Sequence, residues 1–138
     1  MEAEALRVLI VDDEDELVSA LEERLNLRGF RATGVTTGAD ALSRLAEQAC
    51  DVVLLDVKMP GLGGLEVIRR IKEGHPGLEV ILLTGHGSAL DAERGMQLGA
   101  FDYVMKPVKI DDLVRLLLSA ADRKREGEVG GSQPRATV

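Results

Sequence analysis

Tryptophan is absent from this 138-residue chain, and only three aromatic residues occur: Phe30, Phe101 and Tyr103. So few flat side chains exclude a base-stacking platform for single strands. Basic charge is also scarce. Seventeen Lys and Arg against 24 Asp and Glu leave a net charge of −7. Neutralising a phosphate backbone needs the opposite balance, so no direct nucleic-acid binding by this domain is expected. The single cysteine, Cys50, allows no internal disulfide, suits a reducing compartment and is expected to serve as buried packing. No apolar run nears the ~20 residues that cross a bilayer, so no membrane contact is expected. The opening "MEAEALR" lacks the basic and apolar regions of a signal peptide, and the expected location is the cytoplasm. His75 and His86 lack the spacing of a metal-binding pair.

What the chain does have is alternation. Short apolar runs at 6–11, 30–35, 51–56, 78–84 and 102–105 read as strands. Amphipathic stretches at 15–28, 38–49, 64–73, 87–98 and 109–124 read as helices. Apolar faces are expected at Leu17, Leu21 and Leu25; at Ala39, Leu42, Leu45 or Ala46, and Ala49; at Leu65, Ile68 and Ile71; and at Ala89, Ala92 and Met96. Gly95 lies inside the fourth helix, where Gly costs about 1 kcal/mol relative to Ala, so that helix is expected to shift easily. The first, third and fourth strands are apolar on both faces, as parallel strands covered by helices should be. Five β/α units in series predict an α/β fold: a doubly wound, five-stranded parallel sheet with five helices. Residues 1–124 form the expected domain. Residues 125–138, ending in the Gly-rich "GEVGGSQPRATV", are expected to be a flexible tail or linker.

In such sheets function gathers at the carboxyl ends of the strands. The first strand ends at Asp12 and Asp13, the third at Asp56, the fourth at Thr84, and the fifth at Lys106 and Pro107. The loop after Asp56 carries Pro60, Gly61, Gly63 and Gly64, which leave the rim open. Taken singly, "DDE" could be a helix cap with first-turn acids, Thr84 an ordinary strand residue and Lys106 a surface charge. Four separate strands placing matching chemistry on one rim argue otherwise. Three carboxylates so placed repel each other and need a cation. Hard oxygen ligands with room for water and a phosphate oxygen favour Mg²⁺. Asp56 suits a nucleophile, Thr84 a donor to a phosphate oxygen, and Lys106 a point charge for the same group.

These residues sit in "VLIVDDE", "VVLLDVKMPGLGGLEV", "VILLTGHGS" and "GAFDYVMKPV". With their order and spacing, over about residues 6–122, the chain resembles the receiver domain of bacterial two-component response regulators. The wording around Thr84 and "GAFDYVMKP" looks most like receivers of NtrC-type activators or hybrid sensor kinases. The resemblance implies the flavodoxin-like (βα)5 receiver fold and a signalling switch rather than an enzyme. It implies Asp56 as phosphoacceptor, and Mg²⁺ held by Asp12, Asp13, Asp56 and the backbone carbonyl of Lys58. It also implies Thr84 and Lys106 on the phosphoryl group, Tyr103 as the switch aromatic, and a cis Lys106–Pro107 bond. The implied partners are a cognate histidine kinase, a downstream output domain or protein target, and a phosphorylation-dependent homodimer. An Asp-nucleophile phosphatase of the haloacid-dehalogenase type would want a second carboxylate two residues after the nucleophile, where Lys58 stands. A flavodoxin-type cofactor module would have its phosphate repelled by this acidic rim. The complete residue set also argues against a receiver that is never phosphorylated. On the last helix, Leu113, Leu117 and Ala121 are expected in the core. Leu116, Val114 and Leu118 are expected as partly exposed flanks on a switch-dependent surface.

Overall fold

The computed structural model describes residues 5–85 and 89–129, with the side chains of 125 and 127–129 left aside. Five strands are formed: β1 (Arg7–Val11), β2 (Arg31–Val35), β3 (Val52–Asp56), β4 (Glu79–Thr84) and β5 (Asp102–Met105). They alternate with α1 (Asp15–Leu27), α2 (Gly38–Glu47), α3 (Gly64–Gly74), α4 (Ala89–Gln97) and α5 (Ile110–Val129). The sheet order is β2-β1-β3-β4-β5, parallel throughout. The predicted doubly wound fold is the observed one. Helix α5 runs past its expected end at 124, as far as Val129. Its extra turn is built from "REGEV", in which only Gly127 opposes helix. The rest of the expected tail, 130–138, and His86 lie outside the described residues.

Side-chain alternation along the strands divides the core into two layers. Val8, Ile10, Val52, Leu54, Ile81, Leu83 and Val104 meet α1 and α5 through Val18, Leu21, Leu25, Leu113, Leu117, Ala120 and Ala121. Leu9, Val11, Val53, Leu55, Val80 and Leu82 meet α2 and α3 through Ala41, Leu45, Val67, Ile68 and Ile71. Strands β3 and β4 are buried at every position, which is why their sequences read as unbroken apolar runs. Edge strand β2 alternates instead, with Ala32 buried and its neighbours Arg31 and Thr33 exposed.

Two helix faces differ from expectation. In α4 the buried residues are Ala92 and Gly95, whereas Ala89 and Met96 face solvent. A Cβ at Gly95 would stand 2.3 Å from Leu82 Cδ1, so glycine is there to let α4 lie close on β4. In α2 the inward residues are Gly38, Ala41 and Leu45, while Ala39 and Ala46 are exposed, as is Ala49 beyond the helix end. Cys50 is partly buried, and its thiol donates to the Val52 carbonyl at 3.2 Å. Burial raises that thiol to about 11, so it is not an ionised nucleophile near neutrality.

Glu79 opens β4 and is buried. Arg123 of α5 meets it with two bonds, at 2.9 and 3.2 Å, and lies over the Phe101 ring, 5.0 Å from its centre. This clamp ties the far half of α5 to the sheet.

Candidate functional site

Four of the five strands, β1, β3, β4 and β5, deliver their last or next residue to one rim. Asp12 follows β1 and is fully buried, its backbone N–H donating to the Val35 carbonyl at 3.3 Å. Asp13 beside it is exposed. Asp56 ends β3 and is 5% exposed. The chain must then turn sharply under it. A Cβ at Gly64 would stand 2.4 Å from the Asp56 carbonyl oxygen, so only glycine allows α3 to start there. Thr84 ends β4, buried, and Lys106 follows β5, its N–H donating to the Thr84 carbonyl at 2.7 Å. The Lys106–Pro107 bond is cis, as expected.

The carboxylate oxygens of Asp12, Asp13 and Asp56 come within 4.8 Å of one another. The Lys106 ammonium lies 2.8 Å from Asp12 Oδ2, 3.0 Å from Glu14 Oε1 and 3.7 Å from Asp56 Oδ1. Asp12 Oδ1 accepts the Glu14 backbone N–H at 2.9 Å. Its other oxygen is buried without a well-directed hydrogen bond, and meets the ammonium as a charge contact. The Lys58 N–H approaches Asp56 Oδ1 at 3.4 Å.

The electrostatics follow from this crowding. Burial, then the Asp12 charge, push Asp56 up from 3.8 to about 6, although Lys106 and the Lys58 N–H pull the other way. Burial alone would lower Lys106. The close charges of Asp12 and Glu14, with that of nearby Asp56, outweigh it and hold the ammonium well above its ordinary value. One lysine does not balance three converging carboxylates, and Asp12 Oδ2 lacks a directed partner. The donor set therefore fits a divalent cation.

Thr84 and Tyr103 stand apart from that cluster. The Thr84 hydroxyl donates to the Val104 carbonyl at 3.4 Å, and Tyr103 is 45% exposed on the outer edge of the sheet. Beside the rim, Leu17 and Leu21 of α1 and Pro107 and Val108 line a groove of about 540 Å³, with Glu14 and Lys106 at its mouth.

Glu14 is the residue that sequence reasoning passed over. The sequence offers it no role beyond that of a helix cap or first-turn acid. It occupies the N-cap position of α1 but makes no side-chain capping bond, and pairs with Lys106 instead. Its position directly after two rim aspartates was the available signal.

These elements define a doubly wound α/β domain with an acidic cluster, paired with a lysine, at the carboxyl edge of its sheet. The chain belongs to the response regulator receiver domain family, whose model matches residues 8–118. It is 39% identical over 128 residues to the DNA-binding transcriptional regulator NtrC of Escherichia coli K12, an alignment covering 93% of this chain and 26% of that protein. Thus the chain spans about a quarter of that relative's length. Among solved structures, a response regulator receiver domain protein from Clostridium thermocellum superposes with a TM-score of 0.84 at 34% identity, covering 87% of this chain and 97% of that one. NtrX from Brucella abortus superposes with a TM-score of 0.87 at 30% identity, over 97% of this chain and 31% of that one. This is a two-component receiver domain with transcriptional regulators among its relatives. Among the described residues, no helix is long and apolar enough to cross a membrane.

Proposed function

We propose that this domain is a phosphorylation-dependent switch that accepts a phosphoryl group on Asp56 from the phosphohistidine of a cognate histidine kinase. The observation that carries the reading is the placement of the Asp56 carboxylate. It stands at the end of β3 beside two further aspartates, 3.7 Å from a lysine ammonium. A carboxylate oxygen of Asp56 attacks phosphorus in line with the imidazole. The O–P bond forms as the P–N bond breaks, and the imidazole leaves as a neutral base once protonated. Asp56 must be ionised to attack, and the charges around it decide when it is.

Asp12, Asp13, Asp56 and the Lys58 carbonyl are the groups that would hold Mg²⁺. Mg²⁺ would offset the negative charge shared by carboxylates and phosphoryl oxygens. Lys106 supplies a point charge to the phosphoryl group. Thr84 exchanges its bond to Val104 for one to a phosphoryl oxygen. That movement vacates space beside β5, into which Tyr103 turns from its exposed position. Water later hydrolyses the acyl phosphate and resets the switch. The domain acts as a signalling reactant rather than as an enzyme turning over a separate substrate. Its partners are then a cytoplasmic kinase and an output domain or protein target, with self-association of the phosphorylated form as one means of output.

The test is incubation with acetyl phosphate and Mg²⁺ followed by intact-mass and peptide analysis. One phosphoryl group on Asp56 is expected, and none in Asp56→Asn. Modification persisting in that variant removes Asp56 from the role.

A further inference from the structure

Lys106 is not held chiefly by the residue it is meant to serve. Its ammonium stands 3.0 Å from Glu14 and 2.8 Å from Asp12, but 3.7 Å from Asp56. We propose that Glu14 is a positioning residue that parks the Lys106 ammonium in the resting domain and competes for it with the incoming phosphoryl group. This rests on the phosphoacceptor reading of Asp56.

Three observations support a distinct role for Glu14. It lies outside the carboxylate cluster suited to a cation, which comprises Asp12, Asp13 and Asp56. It is not spent on capping α1, because its side chain makes no capping bond. Its backbone N–H is held by Asp12 Oδ1 at 2.9 Å, and its side chain reaches across the rim to a residue 92 positions away in sequence. A cation that draws on Asp12 leaves Glu14 as the remaining close partner of the ammonium. The phosphoryl group must therefore win Lys106 from Glu14. The contest is finely balanced because Glu14 is 62% exposed, and exposed ion pairs shift an equilibrium only a few-fold. Glu14 is thus suited to tune the switch rather than to block it.

The experiment measures the affinity for beryllofluoride, an acyl-phosphate mimic, at saturating Mg²⁺ in four proteins: wild type, Glu14→Gln, Lys106→Ala and the double variant. Asp15→Asn, which removes a neighbouring first-turn acid, controls for general charge. Glu14→Gln is expected to bind the mimic roughly two- to fivefold more tightly than wild type. Asp15→Asn should match wild type, and Glu14→Gln should have no effect when Lys106 is already Ala. Equal tightening by Asp15→Asn, or the same tightening in the Lys106→Ala background, makes the effect plain charge removal and overturns the proposal. Unchanged or weaker binding by Glu14→Gln also overturns it, since Glu14 then stands aside or delivers the lysine. If Lys106→Ala binds no mimic, the comparison of Glu14→Gln with Asp15→Asn decides alone. Failure of wild type to bind the mimic or to be phosphorylated would instead fault the reading of Asp56.

Discussion

Thr84 donates its hydroxyl to the Val104 backbone carbonyl, 3.4 Å away. The bond joins the last residue of β4 to β5, next to Tyr103. It is long for a hydroxyl donor, so it is weak and readily exchanged. That suits a residue proposed to move toward a phosphoryl oxygen.

Thr84→Ala should therefore cost little stability, about 1 kcal/mol in denaturant unfolding. It should leave Asp56 open to phosphorylation but abolish the change at Tyr103. Tyr103 is the only tyrosine and no tryptophan is present, so its emission reports this site directly. Thr84→Ser should retain the change. A full Tyr103 response in the alanine variant would take Thr84 out of the switch.

The raised pKa of Asp56 makes a stability prediction with a definite sign. Its folded value, about 6, exceeds the ordinary 3.8, so the folded chain holds the proton more tightly than the unfolded chain. The resulting stabilisation is complete below 3.8 and is lost as pH rises through about 6. Above that window the ionised carboxylate is a cost. In metal-free protein, Asp56→Asn should raise stability by about 3 kcal/mol near pH 8. The gain should vanish near pH 4. Thermal melts of both proteins across that range decide it, and a gain that grows toward low pH would contradict the assignment.

Mg²⁺ should reverse that cost in the wild type. A ligand bound only by the folded state stabilises it by about 2.7 kcal/mol at a hundredfold excess over its Kd. Asp12→Asn and Asp13→Asn should each weaken the rise in melting temperature on adding Mg²⁺, and slow phosphorylation in parallel. If both variants keep the wild-type response to Mg²⁺, the three-aspartate site is wrong.

Much of this arrangement is legible because strands repeat every two residues and end on the rim. The apolar runs closing on Asp12, Asp56 and Thr84 carry both the fold and the site in one pattern. Helix faces were less legible where Ala and Gly dominate, because these residues differ little in their cost of exposure. Ala89 and Met96 could be read as the face of α4, but close approach to Leu82 turns Gly95 inward instead. The pairs Glu79–Arg123 and Glu14–Lys106 join residues 44 and 92 positions apart. No local periodicity marks such partners, since in sequence any acid could answer any base.

Gly95 sets two effects against each other. Ala is better than Gly in a helix interior by about 1 kcal/mol. The new methyl, however, would meet fully buried Leu82 at 2.3 Å, and overpacking of a core costs about 1–3 kcal/mol. The steric cost should win, and Gly95→Ala should lower stability in urea. A stabilised variant would mean that Leu82 repacks freely and that Gly95 serves flexibility alone.

The output surface can be placed by helical spacing along α5. Leu116 lies two turns before Arg123, which reaches Glu79 and Phe101, so Leu116 faces the β5 side. Leu118 lies two turns after Asp111, which pairs with Arg28 at the end of α1, so its 48% exposure belongs to the opposite side. Leu113, Leu117 and Ala121 between them are buried, as expected, while Leu116 and Val114 are partly buried flanks. Tyr103 and Met105 are exposed on the neighbouring edge strand, so the β5 side joins apolar surface to the proposed switch residue. Leu116→Glu should therefore leave Asp56 phosphorylation intact and weaken self-association of the activated domain. Because Leu116 also packs against the core, its melting temperature is measured alongside. Leu118→Glu, on the far side, should associate like wild type. Sedimentation with and without beryllofluoride tests both variants. An activated wild type that stays monomeric, or equal loss of association in the two variants, would rule out self-association through this face.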